Sequence, residues 1–189
     1  MGPWPTRTLR SGSVSLSPFQ PPQAQDLPDG AALLELERKV RRSGSGLTAD
    51  QLAGVWRLQQ VWPRSGSRPT GFAAALLRGL EAALEIQPAA TADRLALVNR
   101  VCLGPIELRF EGEGVLEGRR PLLSFGFDRC RLRAGERDLF SRSLPAPDPR
   151  RRPFFALIGS GAALGGTTWL AARGRGGGLA LWIRKATER

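Results

Sequence analysis

The sequence predicts a mainly β (α+β) domain, an antiparallel sheet or barrel preceded by short helices. Three observations predict it. Short apolar runs recur between turn residues through the second half of the chain: LALVNRVCL, IELRFEGEGVLE, PLLSFGFDRCRLR, DLFSRSL, PFFALIG, TTWLAA and LALWIRK. That spacing is typical of strands in sandwiches and barrels. Ahead of these runs, residues 30–51 carry the caps and apolar spacing of helices. Finally, 189 residues make room for one ordinary domain, here residues 29–189 behind a leader of residues 1–28.

The elements follow in order. Residues 1–28 are rich in Pro, Ser and Arg and are expected to be disordered. No apolar run follows Arg7 and Arg10, so no secretory signal is expected, although the acid-poor composition resembles a transit peptide. Asp29 is placed to cap AALLELERKVRR, in which Leu33, Leu34, Leu36 and Val40 supply an apolar side. Arg38, Lys39, Arg41 and Arg42 suit its C-terminus, and Gly44 stops it. Thr48 and Gln51 have capping-box spacing for a second short helix ending at Gly54. VWRLQQVW then reads as a strand with Trp56, Leu58 and Gln60 on one face, and residues 63–70 as a loop. FAAALLRGLEAAL, residues 72–84, has helical composition despite Gly79.

Two later segments set harder problems. In IELRFEG, Ile106, Leu108 and Phe110 alternate with Glu107, Arg109 and Glu111, a strand with one wet face. In PLLSFGFDRCRLR, however, Leu123, Phe125 and Phe127 share parity with Arg129, Arg131 and Arg133. Either a bulge near Asp128 turns the arginines outward and Cys130 and Leu132 inward, or the strand runs past the core. Both give a basic ridge, which Arg150, Arg151 and Arg152 in a Pro-rich loop would extend; a solvated strand face is the plainer alternative. Residues 154–172 lack charge and contain the GxxxG pair Gly161 and Gly165, as a membrane helix would. Their Gly, Ser and Thr content favours two strands joined through Gly159-Ser160-Gly161, and no transmembrane span is expected. GRGRGGG lacks the lysine and strand–loop–helix setting of a phosphate loop and reads as a hairpin turn.

Composition narrows the chemistry. There are 28 basic and 17 acidic residues, net +11, and Lys39 and Lys185 are the only lysines. Residues 51–189 hold 22 basic and 12 acidic residues, so the excess belongs to the domain. Such a field attracts an anionic membrane surface or nucleic acid, or merely keeps the protein soluble. Histidine and tyrosine are absent, which removes the commonest metal ligand and general base. Cys102 and Cys130 read as reduced core residues, and two thiols without histidine do not make a zinc site. No cofactor, metal or catalytic residue is expected: Glu107, Glu111 and Asp128 read as surface charges, so the chain is not expected to be an enzyme.

The order of features is similar to a known family. Leu52-Ala53-Gly54-Val55-Trp56-Arg57-Leu58 resembles the L-x-G-x-W-x-L opening of the plastid lipid-associated proteins, the plastoglobule fibrillins of chloroplasts and cyanobacteria. Gln87 and Asn99 fall where that family tends to carry those residues. Thr168-Trp169-Leu170 and Arg173-Gly174-Arg175-Gly176-Gly177-Gly178-Leu179 resemble its closing T-Y-L-D … R-G-x-x-G-x-L hairpin, with Trp169 for the tyrosine, no aspartate and a shortened linker. The resemblance implies a divergent member with a lipocalin-like antiparallel β-barrel, working at thylakoids, lipid droplets or in the cytoplasm or plastid.

It further implies a non-catalytic binder or scaffold for lipids, quinones or carotenoid pigments, docked peripherally on an anionic membrane. Trp56, Phe110, Phe125, Phe127, Trp169 and Trp182 are the aromatics expected inside the barrel, where plain core is the commoner role for each than lining a ligand pocket. Two other readings compete. One is a basic nucleic-acid-binding module using the arginine ridge beside Phe125 and Phe127. The other is a lipocalin-like chromophore lyase, an analogy of fold alone.

Overall fold

A computed structural model describes residues 26–64, 81–89, 91, 93–119 and 121–185. The leader, apart from residues 26–28, and residues 72–80 of the expected 72–84 helix lie outside these.

Helix α1 spans Gly30–Ser43 and begins where expected: the Asp29 carboxylate accepts the Ala32 N–H at 2.8 Å. It ends at Gly44, whose φ of 84° suits glycine and whose N–H donates to the Val40 carbonyl at 2.8 Å. A side chain at Gly44 would also strike the Arg119 carbonyl. Helix α2, Ala49–Leu52, is capped by Gln51, whose side-chain oxygen accepts the Thr48 N–H at 3.0 Å.

Nine strands follow: β1 Gly54–Trp62, β2 Glu81–Pro88, β3 Arg94–Leu103, β4 Ile106–Glu117, β5 Leu122–Ala134, β6 Arg137–Ser143, β7 Phe154–Ala163, β8 Thr167–Gly174 and β9 Leu179–Lys185. Every pairing is antiparallel, in the order β4-β3-β2-β1-β9-β8-β7-β5-β6, and β4 also pairs with β5.

This corrects the expected lipocalin-like barrel. The architecture is α+β with a nine-stranded antiparallel sheet, and that sheet does not close as a barrel. The reason lies in β5. It meets β7 only through Leu122, Leu123 and Ser124, then leaves that neighbour and pairs with β6 from Arg129 onward. Among the described residues β6 pairs on one side alone and remains a sheet edge.

The two sheet faces bury separate cores. On one face Leu47, Leu52, Trp56, Leu84, Ile86, Leu95, Leu97, Leu123, Phe125, Leu157, Leu170 and Trp182 pack together, with α2 and the segment before it covering one end. On the other, Leu33 of α1 meets Trp62, Ile158, Ala171, Leu179 and Leu181. A fully buried aliphatic side chain of this kind contributes about 1.5–3 kcal/mol.

Local expectations fare unevenly. Residues 81–84 are strand rather than helix, because β2 is hydrogen-bonded on both sides, to β1 and β3. In β1 a register shift between Leu58 and Gln60 breaks the expected alternation: Trp56 and Leu58 belong to the first core, Trp62 to the second. Residues 154–172 form a hairpin, but β7 runs straight through Gly159-Ser160-Gly161 and turns at Leu164–Gly166. Among the described residues no helix is long and apolar enough to cross a membrane.

Candidate anion-binding groove

The six aromatics singled out from sequence separate into three groups. Phe110, Phe127, Phe125 and Trp182 join a continuous file completed by Phe155, with successive centroids 5.7, 5.5, 5.0 and 5.3 Å apart. Phe155 was missed because its neighbour Phe154 shares its composition and only the register decides which faces the core. Trp56 stands apart, fully buried, its indole N–H donating to the Leu52 carbonyl at 2.7 Å and Arg184 lying 4.6 Å over its ring. Strand alternation places Trp169 beneath α1 with the second core, away from the file.

The bulge near Asp128 is present: β4 and β5 shift register between the pairs Glu111–Arg129 and Gly112–Phe127. Arg129, Arg131 and Arg133 therefore leave the face of Phe125 and Phe127. Two of the three arginines in this ridge have acidic partners. Arg131 lies 3.5 Å from Glu111, which also takes Arg109 at 2.7 Å, and Arg133 lies 3.0 Å from Asp138. Arg129 is exposed. The same register puts Cys130 opposite Phe110 and Cys102 opposite Glu107, on opposite faces of the sheet, and both thiols are free. Burial first, then the Glu107 carboxylate, raises the Cys102 thiol above its ordinary pKa.

Among the described residues, a second set of arginines without an acidic partner lies elsewhere. Two adjoining depressions of about 600 and 590 Å³ share Phe154 and Arg175. Arg38 and Arg41 reach the first from α1, and Arg64 from the end of β1. Arg150 and Arg152 line the second. Acidic groups in the lining are Glu37, already bound by two arginines, and Glu117.

Two further arginines build this groove. Arg173, at the end of β8, binds the buried carboxylate of Glu37 through Nε at 2.8 and 2.9 Å and Nη2 at 2.5 Å. Its Nη1 donates to the carbonyls of Gly177 and Arg64, holding the β8–β9 turn. Arg175 donates to the Arg150 and Arg152 carbonyls at 2.7 and 2.9 Å, while Asp148 accepts the Arg150 N–H at 2.9 Å. The backbone of residues 150–152 is thus fixed, and the three side chains of Arg150, Arg151 and Arg152 stay exposed.

With Glu37 satisfied within the fold, Arg38, Arg64, Arg150 and Arg152 present guanidinium groups to solvent around an apolar floor of Leu122, Phe154 and Ala156. Planar guanidinium forks match phosphate and carboxylate oxygens, so the groove can bind polyanions. Among the described residues no group of three or more His, Cys, Asp or Glu side chains could hold a metal. Neither a family model nor a curated protein matches this chain.

Proposed function

We propose that the protein is a non-catalytic binding or scaffold protein that docks peripherally on an anionic lipid surface through the arginine groove. The observation that carries this reading is the division of labour among the arginines. Arg173 and Arg175 are consumed in fixing the backbone, and Arg38, Arg64, Arg150 and Arg152 are left around one depression. A surface of headgroup phosphates is recognised by such a cluster at about 1 kcal/mol for each arginine near it. The resemblance read from sequence points to a thylakoid or lipid-droplet surface as the setting. The aromatic file is packed ring against ring, with Phe125 and Trp182 in the core and Phe127 and Phe155 against it, which favours a scaffold on lipid over a carrier with its cargo inside.

The test is co-sedimentation of the full chain with zwitterionic vesicles and with vesicles containing anionic lipid, at low and high salt. Binding to anionic vesicles alone, weakened by salt, supports the reading. Binding to neither overturns it. Tight, salt-sensitive binding to single-stranded RNA with none to vesicles would transfer the groove to nucleic acid.

A further inference from the structure

Strand register sets the floor of the arginine groove. Leu122 of β5, Ala156 of β7 and Arg173 of β8 stand opposite one another across three neighbouring strands, and Ser124 stands opposite Phe154 in the next row of that face. Leu123 and Phe155, between the two rows, turn to the core on the other face. The rows belong to different depressions. Leu122, Ala156 and Arg173 line the first, Ser124 lines the second, and Phe154 lines both. Residues two apart on one strand lie about 6.6 Å apart, so the two floors adjoin at roughly that spacing.

Each floor has its own cations. Arg38 and Arg64 line the first, where Glu37 is already bound by Arg41 and Arg173. Arg150 and Arg152 line the second, with the Ser124 hydroxyl as a further donor and Glu117 as the acidic residue of that lining. Arg175 lines both depressions and ties them together, since it rises from the β8–β9 turn and donates to the Arg150 and Arg152 carbonyls. An apolar bar parts the two seats: Phe154 is half-buried, and Leu122 is among the exposed large apolar residues. A field of single headgroups, each free to move, requires no such division. Two cationic seats at a fixed, short spacing match one headgroup with two phosphates joined through a carbon bridge.

We propose that the groove selects a lipid whose headgroup carries two phosphates, one seated in each depression, with the linking carbons lying across Phe154. This inference rests on the groove being the anionic-lipid docking site, and it names the class of lipid taken there.

The experiment titrates the full chain with phosphatidylcholine vesicles containing either cardiolipin, which has two phosphates joined through one glycerol, or phosphatidylglycerol, which has one. The two sets of vesicles are matched in surface charge and measured at the same salt. Cardiolipin vesicles are expected to bind roughly tenfold tighter or more. Arg150→Gln with Arg152→Gln removes the cations of the second seat and should abolish that preference, and Arg38→Gln with Arg64→Gln should do the same from the first. Circular dichroism checks that both variants fold. Equal binding at equal charge would overturn the two-phosphate seat and leave anionic docking standing. A preference that both folded variants keep would do likewise. Binding to neither set of vesicles would overturn the docking reading and this inference with it.

Discussion

The carboxylate of Glu37 in α1 and the guanidinium of Arg173 in β8, 136 positions apart, form an ion pair whose side chains are 3% and 14% exposed. It joins the helix to the sheet and, through Arg173, to the turn that borders the groove. Removing one partner of a buried pair strands the other charge, which is why such losses exceed the net worth of the pair. Glu37→Gln is expected to lower stability by about 3–5 kcal/mol, measured as a fall in the urea midpoint at unchanged m-value.

The same pair sets an acid dependence. Burial raises the Glu37 carboxyl, but the Arg173 and Arg41 guanidinium groups outweigh it and hold the group below its ordinary range. Folded protein therefore releases this proton more readily than the unfolded chain does. The stabilisation is fully present above the unfolded value of about 4.3 and disappears as pH falls through the lower folded value. Urea midpoints measured downward from pH 6 should decline below about pH 4.3, and the decline should be shallower in Glu37→Gln.

Gly112 sits at the β4–β5 bulge, where a Cβ would run into the Gly126 carbonyl and come within 2.7 Å of the Phe127 Cα. Both obstacles are backbone, so neither can swing aside. Gly112→Ala should cost about 1–3 kcal/mol, whereas Gly46→Ala, with no neighbour within 4 Å but a φ of 65°, should cost less. Thermal melts of the two variants compare them directly.

Trp56 is 0% exposed, with its N–H bonded and a cation over its ring. Trp56→Ala should destabilise the fold by about 3–5 kcal/mol. Trp169→Ala, a half-buried side chain packed against the core under α1, should cost less. Chemical denaturation followed by circular dichroism distinguishes them.

Much of the fold was readable where the signal is local. Asp29, Gly44 and the Thr48–Gln51 pair cap helices through contacts within a few residues. Of the two ways to resolve the conflict of parity between Phe127 and Arg129, the sheet takes the inserted residue, Asp128. What sequence concealed depends on distant partners. Ala83 and Leu84 have helical preference, yet two neighbouring strands claim their backbone. Gly159 and Gly161 looked like a turn. They are strand residues pressed by Leu36 of α1 and by Trp169, within 2.9 and 2.8 Å of where a Cβ would stand. The missing barrel closure reflects one strand changing neighbours, which no local pattern encodes. The groove was half visible, as the run Arg150 to Arg152. Arg38, Arg64 and Arg175 reach it from three other segments, and the ridge at Arg131 and Arg133 loses its charge to acids brought across strands.

Binding to anionic vesicles should be compared for two charge-reversed chains. One carries Arg38→Glu, Arg150→Glu and Arg152→Glu in the groove; the other carries Arg129→Glu, Arg131→Glu and Arg133→Glu on the ridge. The groove variant is expected to lose roughly a hundredfold in affinity, at about 1 kcal/mol for each arginine removed, with its melting curve unchanged. The ridge variant, provided that it folds, should lose much less. A folded groove variant that binds as well as the unaltered chain would contradict docking through the groove.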